Sequence, residues 1–314
     1  MTEQYPTIKR HRLANTTLEI SILGLGGWPF GSGYDWSNRT CPDVSSILSV
    51  AQEKQINWID TAPVYAESEA LLGHALKGRR GDFVLASKCG LVKNGSWTDH
   101  DLRPATIVAQ LENSLRTLQT DWIDLYQIHY PDPAVPLQEA LGVLERCKEQ
   151  GKIRAVGVCN VSSEQVKELP SFVSSVQNEY SLLHFSKTRE VVNLCAKKPL
   201  SFIGYGTLCG GILSGKYKEA PNLRRADARN YFYKCYRGDS FAQVQPVIER
   251  VRVLAQTKQV SPVAVAVAWA LHTGANSVLT GVKDTQQLLQ NVQGTGVFLT
   301  TQEVAFLEGV VCAK

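Results

Sequence analysis

Three apolar runs of this 314-residue chain each end in a side chain able to move a proton. Ile56-Asn57-Trp58-Ile59 stops at Asp60, with Tyr65 five positions later; Phe83-Val84-Leu85-Ala86-Ser87 stops at Lys88; Trp122 to Ile128 stops at His129. An acid, a phenol, an amine and an imidazole suit proton transfer by a group whose neighbours set its pKa. A free phenol titrates at about 10, too high to protonate a substrate oxygen efficiently at neutral pH. A nearby ammonium favours the phenolate and lowers that value. Asp60 would keep Lys88 charged and placed, Lys88 would acidify Tyr65, and His129 would orient a carbonyl oxygen or share the proton. Together they would protonate an oxygen that is becoming an alkoxide.

These groups meet only if their runs are neighbouring parallel strands, which bring all of them to one end of a sheet. In an α/β barrel that end is where loops wall the active site. Eight strand candidates fit: Ile22–Leu25, Ile56–Asp60, Phe83–Ser87, Ile123–Ile128, Ala155–Val158, Ser175–Gln177, Phe202–Tyr205 and Ser277–Thr280. Amphipathic helices separate them, among them Val44–Lys54 behind an Asp43 cap, Ala105–Leu118 behind Pro104, and Leu137–Glu149 behind Pro136. Short apolar strands alternating with helices indicate a parallel sheet covered on both faces. The predicted fold is a (β/α)8 TIM barrel with an N-terminal hairpin (His11–Leu13 and Leu18–Ile20), a long loop after strand seven and a C-terminal helix at Thr301–Val310. The loop, Leu208 to Ser240, is rich in turn residues, aromatics and Arg, and has little period. No linker, composition shift or internal repeat divides the chain, so residues 1–314 read as a single domain.

Bulk properties narrow the function. A net charge of +4 with scattered Lys and Arg gives no basic stripe for nucleic acid, but suits an anionic ligand such as a dinucleotide. Eight cysteines without a CxxC pair read as reduced, mostly buried thiols of a cytoplasmic protein. The polar N-terminus lacks an apolar signal core, and Val263 to Leu271 is too short to span a bilayer. The six histidines show no HxH or HExxH spacing, so no metal site is expected.

The motif Asp60-Thr61-Ala62-Pro63-Val64-Tyr65, followed by Ser68-Glu69 and Leu72-Gly73, resembles the N-terminal signature of the aldo-keto reductases. Ser87-Lys88 and Ile128-His129 fall where that family has its catalytic lysine and histidine. Gly24-Leu25-Gly26-Gly27-Trp28, Gly151 to Arg154 leading to Gly157-Val158-Cys159-Asn160, and Gln177 to Leu182 match as well, so the likeness runs from about residue 8 to 310. Spacing and punctuation are closer to the bacterial, plant and potassium-channel β-subunit branches than to the mammalian aldose reductases.

The resemblance implies a barrel binding extended NADP(H) without a Rossmann fold, and no GxGxxG lies between a strand and a helix here. It implies catalytic roles for Asp60, Tyr65, Lys88 and His129. It implies that Asn160 and Gln177 bind the nicotinamide carboxamide, beside Cys159, and that Tyr205 stacks on the ring. The pyrophosphate would run along Leu208 to Lys216, including Gly215, and Gly281, Lys283, Gln287 and Asn291 would hold the adenosine end at a helix start. Lys283 would read the 2′-phosphate. Two positions depart from the pattern. Cys159 stands where a serine is usual, which removes a hydroxyl donor, and Ala66 replaces the glycine after the tyrosine, which would stiffen the loop carrying Tyr65.

Taken singly, each residue has a plainer role: Asp60 a turn residue, Tyr65 core or rim, Lys88 a solvated strand end, His129 a satisfied imidazole. As an ordered set they read as catalytic. Trp28 and Tyr130 follow strand ends and read as substrate pocket over packing; Trp97 fits pocket and helix cover equally, and Cys89 reads as a small strand-end residue rather than a nucleophile. The expected activity is NADP(H)-dependent reduction of an aldehyde or ketone, or the reverse, by a monomer or weak homo-oligomer without membrane or nucleic-acid partners. A Schiff-base aldolase using Lys88 and a redox-sensing regulatory subunit with slow reductase activity are the alternatives. The absence of an extra N-terminal segment argues against a channel partner. Loops such as Tyr34–Thr40, Val92–Asp101 and Arg224–Asp239 carry no readable substrate code.

Overall fold

The computed structural model describes residues 5–31, 42–95, 97–225 and 227–309. Its strands, in chain order, are β1 (Arg10–Arg12), β2 (Glu19–Ser21), β3 (Leu23–Gly26), β4 (Trp58–Asp60), β5 (Val84–Cys89), β6 (Leu91–Asn94), β7 (Trp97–His100), β8 (Ile123–Ile128), β9 (Ile153–Cys159), β10 (Val173–Glu179), β11 (Ser201–Tyr205) and β12 (Ser277–Gly281). The order β3-β4-β5-β8-β9-β10-β11-β12 closes on itself with every pairing parallel. Helices fill the crossovers: α1 (Val44–Glu53), α2 (Ser68–Ala75), α3 (Pro104–Leu118), α4 (Leu137–Glu149), α5 (Ser163–Lys167) and α6 (Phe185–Lys197). The second half adds α7 (Arg229–Phe232), α8 (Gly238–Lys258), α9 (Pro262–His272), α10 (Thr285–Gly294) and α11 (Thr301–Glu308). This is the expected (β/α)8 barrel.

Burial on both faces explains the strand sequences. Every residue of β8, Ile-Asp-Leu-Tyr-Gln-Ile, is buried, because one face looks into the barrel and the other onto helices. Helix α3 answers with Ile107, Leu111, Leu115 and Leu118 buried on one stripe. Inside the barrel, Trp58, Ala86, Leu125, Ala155, Ile203 and Leu279 pack with Leu13 and Ile20 of the hairpin. The Trp58 indole fits because a β-carbon on Gly24 would lie 2.2 Å from its Nε1. At the hairpin tip, the Asn15 amide donates to the carbonyls of Ser171 (2.9 Å) and Pro199 (3.0 Å). The hairpin therefore plugs the N-terminal end of the barrel, and the C-terminal end is left for chemistry.

Two segments differ from expectation. The stretch read as a loop from Leu208 to Ser240 is structured: a 3-10 turn (Cys209–Ser214), α7, a second 3-10 turn (Lys234–Tyr236), and a start of α8 at Gly238, inside that stretch. Its Tyr233, Cys235, Tyr236 and Phe241 bury against the core, and Arg229 is paired with Asp227, at spacings that no helix or strand period would reveal. The second is an antiparallel hairpin, β6–β7, inside the loop read as Val92–Asp101; β7 is exposed throughout, so it has no alternating pattern. Tyr34–Thr40 and the last residue of the expected C-terminal helix, Val310, lie outside the described residues. No described helix is long and apolar enough to cross a membrane.

Candidate active site

Asp60 ends β4, Lys88 is the penultimate residue of β5, and His129 follows β8, so parallel register brings all three to the C-terminal mouth. Tyr65 sits on the turn after β4, where its N–H donates to the Ala62 carbonyl (3.0 Å) and Ser68 N–H donates to the Tyr65 carbonyl (3.1 Å). Asp60, Lys88 and His129 are only 3%, 1% and 8% exposed. Lys88 Nζ is paired with Asp60 Oδ2 and donates to the Thr61 carbonyl at 3.0 Å. The Tyr65 hydroxyl lies 3.5 Å from Lys88 Nζ and 3.4 Å from His129 Nε2. The four side chains expected to act together are therefore in contact.

Charge and burial set their protonation. Burial pushes the Tyr65 phenol above its ordinary value; the Lys88 ammonium pulls it down and the Asp60 carboxylate pushes it up again. The expected net acidification of Tyr65 is thus overturned in the protein alone, because desolvation of a phenolate outweighs one ammonium. Burial works against the Lys88 ammonium, but the facing Asp60 carboxylate and Tyr65 more than reverse it, so its pKa is raised. Burial and the Lys88 charge hold His129 well below its ordinary value, which leaves a neutral imidazole at neutral pH.

Sequence reading missed what anchors Asp60. Gln127 and Gln177 both donate through Nε2 to Asp60 Oδ1 at 3.0 Å, and Gln177 Nε2 lies 3.3 Å from Gln127 Oε1. One Asp60 oxygen thus serves two amides and the other the ammonium. Gln127 had one legible signal, an amide near the end of a strand rich in apolar residues.

A cavity of about 700 Å³ opens above these groups and runs to the start of α10. That lies within the roughly 300–1,000 Å³ of cofactor and small-molecule sites. Asp60, Tyr65, His129, Asn160, Gln177, Tyr205, Leu208, Lys216, Gly281, Lys283, Gln287, Asn291, Trp28 and Tyr130 all line it. Lys88, Cys159 and Gly215 do not: Lys88 and Cys159 are buried, with Cys159 Sγ 3.7 Å from Gln127 Oε1, and the Gly215 carbonyl accepts from Arg252 Nε at 3.1 Å. The Tyr205 hydroxyl donates to Asn160 Oδ1 (2.7 Å) while Asn160 Nδ2 donates to the His129 carbonyl (2.9 Å). Asn160 itself adopts φ +56°, the left-handed region that asparagine tolerates better than most residues. The amide oxygen keeps a second lone pair for a ligand. At the far end, Asp284 caps α10 by accepting from Gln287 N–H (2.8 Å), Gln287 Oε1 accepts from Lys283 N–H (3.1 Å), and Asn291 Nδ2 donates to Thr280 Oγ1 (3.0 Å).

The cavity fits an extended dinucleotide on its own evidence of shape and chemistry. It joins Asp60, Tyr65 and His129 to a helix start bearing a cation, and the buried Thr207 hydroxyl on its wall has no hydrogen-bond partner among the described residues. Trp28 and Phe232 meet edge-to-face at 5.0 Å, and Tyr130 stacks on His129 at 5.5 Å, forming an aromatic rim to which α7 contributes unannounced by sequence. Trp97 is 79% exposed and absent from the lining, where its neighbour Thr98 takes part.

Residues 22–311 match the profile described as the Aldo/keto reductase family. The chain is 35% identical over 300 residues to an aldo-keto reductase of Bacillus subtilis (strain 168), covering 93% of this chain and 90% of that one. It is 29% identical over 325 residues to the NADH-specific methylglyoxal reductase of Escherichia coli (strain K12), covering 96% and 97%. Among solved structures, a glycerol dehydrogenase from Gluconobacter oxydans superposes with a TM-score of 0.85 at 28% identity, covering 96% of this chain and 95% of that one. The holo form of an aldo-keto reductase from Bacillus halodurans gives 0.78 at 27% identity, covering 96% of each.

Proposed function

The chain belongs to the aldo/keto reductase family of oxidoreductases, and from that premise we propose that it interconverts an aldehyde or ketone and its alcohol, with NADP(H) as cofactor and Tyr65 as general acid. The observation that carries this reading is the Tyr65 hydroxyl, set between an ammonium and an imidazole on the floor of a cavity long enough for a dinucleotide. When bound, the cofactor supplies or accepts the hydride. The chain does the rest. Burial keeps Tyr65 protonated at neutral pH, so the proton is present when a carbonyl oxygen arrives. As that oxygen gains charge and takes the proton, the phenolate left behind is stabilised by the Lys88 ammonium, which Asp60 holds in place. His129, kept neutral, donates a hydrogen bond to the same oxygen and orients it.

Asn160 and Gln177 hold the carboxamide in this reading, Tyr205 faces the ring, and Leu208 to Lys216 borders the pyrophosphate. Cys159 acts from beneath through Gln127 rather than by direct contact. Gly281, Lys283, Gln287 and Asn291 form the adenosine end. The Escherichia coli relative is NADH-specific by name, so the choice of NADP(H) rests on the Lys283 cation. Asp284 already engages the Gln287 amide, so the helix start offers a phosphate less than its position promised, and discrimination falls on the Lys283 ammonium.

A panel of aldehydes, ketones and alcohols, scanned with NADPH and NADH by the absorbance of the reduced nicotinamide, tests both halves. Turnover with NADPH in clear preference to NADH is expected. Equal or better turnover with NADH overturns the cofactor assignment, and no turnover of any member overturns the reaction.

A further inference from the structure

Away from the proton-transfer centre, the described residues bring together one mixed group of metal-binding side chains. Glu179 ends β10, His184 immediately precedes α6, and Cys209 opens the 3-10 turn after β11. A carboxylate oxygen, an imidazole nitrogen and the thiol sulfur lie within 4.8 Å of one another. His184 Nδ1 is 2.7 Å from Glu179 Oε1, and Cys209 Sγ is 3.0 Å from Ser181 Oγ. The sulfur is fully buried, whereas the Glu179 and His184 side chains are 35% and 37% exposed, so the group is open on one side and closed beneath. Glu179 also lines the cavity.

The donor set selects the ion. Sulfur and imidazole nitrogen beside one carboxylate suit zinc and its neighbours, whereas magnesium and calcium require oxygen ligands throughout. Bond lengths of about 2.3 Å to sulfur and roughly 2.0–2.2 Å to nitrogen and oxygen place the ligands of a tetrahedral ion some 3.3–3.7 Å apart, approximately. Small rotations of the two half-exposed side chains, Glu179 and His184, suffice to reach that from the observed spacing. Three protein ligands leave the fourth position to water, on the open side. No HxH or CxxC spacing announces the group, because Glu179 and His184 lie five residues apart in the β10–α6 connection and Cys209 follows β11, which parallel pairing sets beside β10.

We propose that Glu179, His184 and Cys209 form a binding site for a zinc-class divalent cation at the rim of the cavity, with the Ser181 hydroxyl as hydrogen-bond partner of the ligating sulfur. On binding, the Cys209 S–H bond breaks, its proton leaves to solvent and the sulfur ligates as thiolate; the proton between His184 Nδ1 and Glu179 Oε1 exchanges through solvent to Nε2, so that Glu179 binds as carboxylate and His184 as neutral imidazole through Nδ1, with no change of oxidation state. The ion would tie the end of β10 to the glycine-rich run that borders the cavity. The site's existence does not depend on the reaction assigned to Tyr65.

Cobalt(II) is the probe of choice, since a thiolate ligand gives a near-ultraviolet charge-transfer band and tetrahedral geometry gives strong visible bands. Titration of the full chain under reducing conditions should develop both at one equivalent, and zinc should displace them. Cys209→Ser should abolish the charge-transfer band. His184→Ala should weaken zinc, measured against a chromogenic chelator, by about tenfold or more. Cys195→Ser, a buried thiol elsewhere, should change neither. Absence of the bands at one equivalent, a charge-transfer band that survives Cys209→Ser, or zinc affinity unmoved by His184→Ala would each overturn the proposal. Because the His184 side chain is half-exposed, its variant keeps the test valid even if Cys209→Ser folds poorly.

Discussion

At the Tyr65 end of the cavity the polar side chains hold one another, whereas at the α10 end most of them, Asn291 apart, are open to solvent. Asp60, Lys88, Gln127, Gln177 and His129 are buried, and Asp60 alone has its ammonium and two amides as partners. At the other end Gly281 and Gln287 are exposed and Lys283 is half-buried, with Asn291 alone of the four buried, against Thr280. On the proposed function the difference follows from what each end must do. A proton moves only over hydrogen-bond distances, so its donors must be held before the substrate arrives. A phosphate is recognised by charge, which tolerates looser geometry and solvent. Mutations at the first end should therefore change rates by orders of magnitude, and mutations at the second should change affinity alone.

The largest effect is expected from Tyr65→Phe. Only the hydroxyl is lost, so the fold and cofactor binding should persist while kcat falls by about 10²–10⁴-fold, the usual contribution of general acid catalysis. Steady-state kinetics with a cofactor titration check it; near-normal turnover would remove Tyr65 as the acid. Lys88→Met should damage the fold as well as the rate. With Lys88 and Asp60 both buried, removing one partner strands the other's charge, which typically costs about 3–5 kcal/mol. Denaturant unfolding of the two variants side by side separates the roles: Tyr65→Phe close to wild type, Lys88→Met far below it. Equal stability of both would mean that the Tyr65 end is less tightly interlocked than its contacts indicate.

The same contrast governs what the sequence revealed. Asp60, Lys88 and His129 were legible because each terminates an apolar run, and parallel strands carry run ends to one place. Gln127 was not, since an amide within a strand identifies no partner until the neighbouring strands are known. The protonation of Tyr65 was misjudged for a related reason: sequence shows that an ammonium is near, but not how little water is. The β6–β7 hairpin and α7 escaped because exposed strands and irregularly buried aromatics have no period. Cofactor-end positions came from family resemblance rather than residue chemistry, and Cys159 illustrates the limit, matching a motif yet sitting beneath the cavity floor.

At the exposed end, Lys283→Ala should weaken NADPH by about 1.5–3 kcal/mol, the range for a hydrogen bond to a charged group, or roughly ten- to 150-fold in Kd. NADH, lacking the 2′-phosphate, should be almost unaffected, and kcat at saturating cofactor should hold. Fluorescence-quenching titrations of both cofactors against wild type and variant decide it. Equal losses for the two would mean that Lys283 does not read the phosphate.

The smallest effect is expected at Ala66, where the chain departs from the glycine that the resemblance leads one to expect. Ala66 has φ +50°, a left-handed backbone that costs an L-residue about 1–2 kcal/mol relative to its favoured conformations. Glycine relieves that strain but frees the unfolded chain by about 0.4–1 kcal/mol. The difference is small, so Ala66→Gly should stabilise by somewhere between about 0 and 1.6 kcal/mol. Its effect on catalysis depends on what fixes the Tyr65 turn. A β-carbon on Gly31 would lie 1.8 Å from the Tyr65 carbonyl oxygen, so this backbone is already held against the β3–α1 connection by close approach, independently of residue 66. The turn also keeps its own bonds, Tyr65 N–H to Ala62 and Ser68 N–H to Tyr65. Glycine at 66 should therefore leave kcat and KM unchanged. A substantial fall in kcat with stability preserved would show that the Ala66 side chain stiffens the loop, and that the Tyr65 end owes part of its order to this one methyl group.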